Sequence, residues 1–158
     1  MKLLPLPDYI RSLHIEAGLS PDLELRLYQE CLTFVTELCV KEKVNTEIMG
    51  TALTLLHYYL KRVAFTEIDR FLLGTACVYL ACKIDYRHLS LEKVAEFYFQ
   101  ERSGGKKSRK PLQEIIDALF QEYCRLEISI LTSIEFDLEF DLPVKHARRF
   151  KLKYTKHV

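Results

Sequence analysis

Five cysteines, five histidines and one glycine-lysine-serine run are the side chains of this 158-residue chain with the most reactive potential. The cysteines are Cys31, Cys39, Cys77, Cys82 and Cys124. Their number is odd, and no two form a CxxC. A structural zinc site wants four close ligands, usually in paired spacings. Each cysteine here sits in an apolar, helix-patterned stretch, so the expectation is small core fillers. Of the scattered histidines only His57 falls inside a strongly helical stretch, where a structural hydrogen bond is its expected role. Gly104-Gly105-Lys106-Lys107-Ser108 superficially resembles a phosphate-binding loop. It lacks the preceding glycine and follows no predicted strand, so it does not qualify. GxxxxGK[ST], HExxH and GxSxG are all missing. The expectation is a non-catalytic protein with no cofactor, no metal and no small-molecule substrate.

Charge is distributed unevenly. Residues 102–110 (RSGGKKSRK) carry five basic side chains and no acid, and residues 143–158 carry six and no acid. The remainder holds 12 basic and 22 acidic residues, about −10 in all, although the whole chain is +1. Such segregation can steer an association. The two basic segments leave nucleic-acid contact open as a secondary expectation, without the aromatic–basic interleaving that would strengthen it. Lys106-Lys107-Ser108-Arg109 also resembles a short nuclear-import signal. No apolar run approaches the roughly 20 residues that span a bilayer. The N-terminal MKLLPLPDYI, broken by Pro5 and Pro7, does not read as a secretory signal. The expected setting is intracellular, nuclear or nucleo-cytoplasmic.

The elements that must hold these residues read as helices. Hydrophobic residues are 49% of the chain and charged residues 28%, and five Gly with five Pro supply little turn material. A first helix runs from about Leu23 to Lys41, with Leu27, Cys31, Phe34, Val35 and Leu38 on one stripe. A second runs from about Thr46 to Arg62, capped by Asn45 or Thr46, with Ala52, Leu55, Leu56 and Tyr59 inward. A third opens on Thr66-Glu67-Ile68-Asp69, read as a capping box with Thr66 as cap and Asp69 at the third helical position. It continues as FLLGTACVYLAC, apolar on almost every side, and a helix without a polar face belongs in the middle of a bundle. Gly74, Ala76 and Ala81 would let neighbours approach closely. A short fourth helix spans about Ser90 to Phe99, with Leu91, Val94, Ala95 and Tyr98 inward. A fifth follows Pro111 and runs to about Ser133, with Ile115, Leu119, Tyr123, Leu126 and Ile130 inward. The run EFDLEFDL, Glu135 to Leu142, alternates and reads as a linker to a last short helix after Pro143. Periodicity by itself yields a five-helix globular domain and no function.

Two stretches go further. Met49 to Asp85 contains His57-Tyr58-Tyr59 and then Leu80-Ala81-Cys82-Lys83-Ile84-Asp85. Leu126 to Leu138 places Leu131 four residues and Phe136 nine residues after Glu127. In this order, on these helices, they resemble the cyclin box. The resemblance covers about Leu23 to Lys156 and implies an all-α fold: a single five-helix box over residues 23–142, an N-terminal segment (1–22) and a basic tail with a short helix (143–158). It implies a regulatory subunit that binds and activates a cyclin-dependent kinase. In that family the lysine and glutamate project together toward the kinase's mobile C-helix, a role carried here onto Lys83 and Glu127. Ile84, Leu131 and Phe136 would supply the buried apolar area.

The chain departs from the family pattern in three places. Tyr58 stands where an arginine is usual, and Tyr86 stands where many members have a second acid. Leu25-Arg26-Leu27-Tyr28-Gln29-Glu30 replaces the motif with which cell-cycle members dock substrates. The motifs are more similar to the transcription-type cyclins (T, K and L types). A second box would usually follow, so the chain reads as a one-box member or a piece of a longer one. Two other uses of the same fold remain alternatives: a transcription-complex or nucleic-acid adaptor resembling general transcription factor IIB, and a scaffold that activates nothing.

Overall fold

A computed structural model describes residues 13–104, 113–139 and 142. The described residues form six helices and no strand: α1 (Leu13–Glu16), α2 (Pro21–Lys41), α3 (Thr46–Leu60), α4 (Arg70–Ile84), α5 (Leu91–Arg102) and α6 (Gln113–Ser133). The five helices read from periodicity are α2 to α6. The short helix expected after Pro143, most of the first basic segment and all of the second lie outside the described residues. None of the described helices is long and apolar enough to cross a membrane.

The apolar helix takes the centre. α4 packs against α2, α3, α5 and α6, and Leu73 through Val78 and Leu80 through Cys82 are all buried. Buried positions on every side of one helix are possible only when neighbours surround it. Its small residues let α2 come close, as the Phe34 ring and the Val35 methyls lie against Gly74. Phe34 itself packs against both Phe71 and Phe97, with ring centroids 5.1 Å away in each case.

The inner stripes of α2, α3 and α5 fall largely where the 3.6-residue repeat puts them: Cys31, Phe34, Val35 and Leu38; Ala52, Leu55, Leu56 and Tyr59; Val94, Ala95 and Tyr98 are buried. Four details differ from the sequence reading. On α6, Ile115 is 43% exposed and Ile116 is the buried residue. Ile116 lies seven and fourteen positions before Tyr123 and Ile130, nearly whole turns, whereas Ile115 is rotated by about 80° from that line. α2 begins at Pro21, with Ser20 as its cap accepting from the Leu23 amide at 3.3 Å. Four residues further upstream of that cap lies α1, which periodicity did not signal.

The third correction concerns the cap of α4. Asp69 is the cap itself, and Thr66 is not. Its Oδ1 accepts from the amides of Phe71 and Leu72 at 2.9 and 3.1 Å. Its Oδ2 accepts from the Tyr98 hydroxyl at 3.1 Å and from Arg102. A carboxylate can cap a helix and hold two side chains of α5 at once, which the Thr66 hydroxyl cannot do. Asp69→Ala is therefore expected to lower unfolding free energy by about 2 kcal/mol, the upper range for a lost cap. Asp69→Asn, which keeps the capping oxygen, should cost less than half of that. Urea unfolding of the three proteins measures it, and an alanine variant as stable as the parent would remove the assignment.

The fourth is the structural histidine. His57 is exposed, with only its ring edge toward Tyr58. His14 on α1 takes that role: it is 1% exposed and stacks on Phe65 with centroids 4.7 Å apart. Its Nδ1 accepts from the Phe65 amide at 3.2 Å, and Nε2 lies 3.3 Å from the Tyr28 hydroxyl. A histidine in a loop-like N-terminal segment gives no periodic signal, so only the packing of α1 could identify it.

Cys31, Cys39, Cys77 and Cys82 are buried and free, as core fillers should be, and Cys124 is half-buried. Burial pushes the thiols of Cys31 and Cys39 up to about 12 and that of Cys82 to about 11, and raises Cys77 as well. At neutral pH such thiols stay protonated and unreactive.

Candidate functional site

The C-terminal half of α4 and that of α6 meet on one side of the bundle. Lys83 occupies the last turn of α4, where a cation complements the helix dipole. Glu127 is four residues after buried Tyr123 and three before buried Ile130 on α6, hence at the edge of the inner stripe. The two side chains form an ion pair, Nζ to Oε1 2.5 Å, across 44 positions of sequence. The lysine side chain is 51% exposed and that of the glutamate 20%. An ammonium offers three donors and a carboxylate about four acceptor sites. One bond between them leaves most of that capacity open to a partner's main chain.

The other three candidates surround the pair in different degrees. Ile84 and Leu131 are half-buried and packed against the core. They present part of an apolar surface and anchor it with the rest. Phe136 is 63% exposed. It lies just past α6, where the amides of Glu135 and Phe136 bond back to the carbonyls of Thr132 and Leu131 at 3.1 and 2.9 Å. Glu135 and Phe136 both have left-handed backbone, φ +56° and +59°. That conformation costs a non-glycine residue about 1–2 kcal/mol, and here it turns the phenyl ring into solvent.

Two leucines near the site went unread in the sequence. Leu138, 42% exposed, and Leu142, 3% exposed, line a hollow with Ile84, Ala81, Glu47 and Asp85. The methyls of Leu142 sit 3.7 Å from where a Cβ on Gly50 would be. The alternation of EFDLEFDL was the available signal. It suggested a linker, and it showed neither that Glu135 and Phe136 take a left-handed turn nor that Leu138 and Leu142 return to α3 and α4. Of the first basic segment, Arg102 belongs to the Asp69 and Tyr98 network, so one of its cations is structural. Among the described residues no three His, Cys, Asp or Glu side chains gather as metal ligands would.

A bundle wrapped around one largely apolar helix, with a lysine in its last turn paired to a glutamate two helices on, fits a cyclin-box architecture. The family described as cyclin, N-terminal domain, matches residues 3–139, and the chain belongs to the cyclin family. It is 23% identical over 144 residues to Cyclin-K of Danio rerio, covering 90% of this chain and 32% of that protein. It is 27% identical over 134 residues to Cyclin-T1 of Equus caballus, covering 82% and 18%. It is 22% identical over 144 residues to Cyclin-C1-2 of Arabidopsis thaliana, covering 90% and 53%. The chain thus spans a third or less of the Cyclin-K and Cyclin-T1 relatives and about half of Cyclin-C1-2. K and T are transcription-type cyclins, the branch that the sequence motifs resemble.

Proposed function

We propose that this chain is a non-catalytic regulatory subunit that binds and activates a cyclin-dependent kinase acting in transcription. Membership of the cyclin family supports the partner class, and similarity to Cyclin-K and Cyclin-T1 supports the transcriptional, nuclear setting. The observation that carries the contact site is the half-open Lys83–Glu127 pair at 2.5 Å. Lys83 donates to, and Glu127 accepts from, the backbone of the kinase's C-helix region. Ile84, Leu131 and Phe136 bury the apolar area around those polar contacts. Holding the C-helix inward places the kinase's own Lys–Glu pair for ATP. The binding unit is the box over residues 23–142, with residues 1–22 and 143–158 flanking it.

Activation requires that the chain bind the active kinase conformation more tightly than the inactive one, since a ligand shifts an equilibrium only by its differential affinity. A preference of about 2.7 kcal/mol raises the active population up to ~100-fold. The test is to mix the purified chain with a panel of cyclin-dependent kinases, follow co-elution, and measure peptide phosphorylation. Co-elution with one kinase and a rise in its kcat/KM of about 100-fold is expected. Co-elution without any rise would make the chain a scaffold and overturn the activating role.

A further inference from the structure

Tyr86 is 98% exposed. Tyr58, the next most exposed tyrosine among the described residues, is 46% exposed. Tyr86 also stands at a backbone position that does not suit it. It follows the last turn of α4 with φ +54°, the left-handed position of a helix C-terminus that favours glycine. The turn around it is firmly held. The Tyr86 amide donates to the Lys83 carbonyl at 3.1 Å, and the Arg87 amide to the Cys82 carbonyl at 2.8 Å. The Arg87 guanidinium then reaches across to the Glu42 carbonyl at the end of α2, 2.8 Å away. The turn is thus fixed to two helices. It carries on its tip an aromatic ring that is 98% exposed and that no described residue covers.

Strain at an over-determined position is a pointer to use by something outside the fold. We infer that Tyr86 is a specificity-determining residue of the kinase contact, an aromatic anchor presented beside Lys83 to an uncharged, ring-sized slot on the partner. The inference rests on the kinase-binding reading of the Lys83–Glu127 site. Four features support the choice of occupant. Lys83 and Tyr86 share one hydrogen-bonded turn, three positions apart, so a partner that reaches the end of α4 meets both residues. Tyrosine is among the residues that most often dominate interface energetics, because it offers a large, amphipathic surface with few torsions to order. A turn already fixed by three hydrogen bonds has little left to order on binding. The phenol is neutral where the cyclin pattern commonly has a second acid. A kinase that offers a cation to that acid therefore gains nothing here, and one that offers an apolar slot is selected.

The test uses the full chain and the kinase with which it co-elutes. Tyr86→Gly removes the ring and relieves the left-handed position, so a thermal midpoint at or above the parent's is expected. Affinity is expected to fall about 10-fold or more, mostly through faster dissociation. Tyr86→Phe should stay within about 3-fold of the parent, and Tyr86→Glu should bind as weakly as the glycine variant or more so. The variant Lys83→Ala with Glu127→Ala separates the two levels of inference. If it loses the kinase while Tyr86→Gly binds like the parent, the anchor is refuted and the kinase site stands. If both bind like the parent, the site reading fails and takes the anchor with it.

Discussion

Exchanging Lys83 and Glu127, as Lys83→Glu with Glu127→Lys, is expected to leave the fold intact and still abolish kinase capture. An ion pair whose lysine is half exposed stabilises the free protein by about 1 kcal/mol or less. The exchanged pair can form with the opposite polarity, and an anion in the last turn of α4 gives up the favourable dipole interaction, so unfolding free energy should fall by about 1 kcal/mol at most. Beneath a partner the balance differs. Both groups lose water, and the donor and acceptor must face the partner's carbonyls and amides in one arrangement only. Removing one member of such a desolvated hydrogen-bonded pair typically costs about 2–5 kcal/mol, or roughly 30- to 5,000-fold in affinity. The exchange reverses both contacts and should lie at the upper end. Double substitution to alanine should lose affinity by a similar amount. Lys83→Ala alone should bind no better than the double variant, because it strands the Glu127 carboxylate under the partner. Calorimetric titration of the kinase, alongside urea unfolding of each free variant, measures both halves. An exchanged protein that binds like the parent would show the pair to be an internal strut, and the proposed contact would then be wrong.

Gly74→Val is expected to be among the most damaging single changes in the chain. A Cβ at Gly74 would lie 2.9 Å from Phe34 Cδ1 and 3.1 Å from Val35 Cγ2. Both belong to buried residues, and the Phe34 ring packs against both Phe71 and Phe97. The ring therefore has nowhere to move without disturbing two others. Even Gly74→Ala should destabilise by about 1–2 kcal/mol, although alanine gains roughly 1 kcal/mol in helix propensity. The clash outweighs the propensity gain. Valine adds two further methyls to the same space, and a loss of about 3 kcal/mol or more is expected. A kinase-binding assay would then report loss of fold rather than loss of contact, so urea midpoints come first. Trimming the neighbour in the double variant Gly74→Ala with Phe34→Leu should recover part of the loss, an interaction that a double-mutant cycle reads directly. A Gly74→Ala protein more stable than the parent would mean that α2 and α4 do not approach as described.

Much of this protein follows from local pattern. Apolar residues all round FLLGTACVYLAC dictate a central helix, because no other placement hides every face. The stripes of α2, α3 and α5 follow from the same repeat. Lys83 and Glu127 were legible as positions, through motifs that resemble the cyclin box, although the stripe alone would have left Glu127 as an ordinary edge residue. Long-range choices were not legible. Whether Thr66 or Asp69 caps α4 is decided by Tyr98 and Arg102, which reach Asp69 from another helix. Whether Ile115 or Ile116 faces inward is a matter of turning by about 100°, too fine for a pattern of apolar spacings. His14 owes its role to Tyr28 and Phe65, fourteen and 51 positions away.

The same division runs through the candidate site. By itself the sequence determined that a lysine ends the most apolar helix and that a glutamate interrupts the last one, since composition and spacing are properties of one segment at a time. Only the tertiary structure decided that the two meet at 2.5 Å. The reason is that packing of α4 against α6 brings together residues 44 positions apart. It likewise decided that Phe136 and Tyr86 stand in solvent. Both follow helix ends where left-handed residues turn the chain, and a backbone torsion of that kind, at a residue other than glycine, leaves no trace in the order of the amino acids.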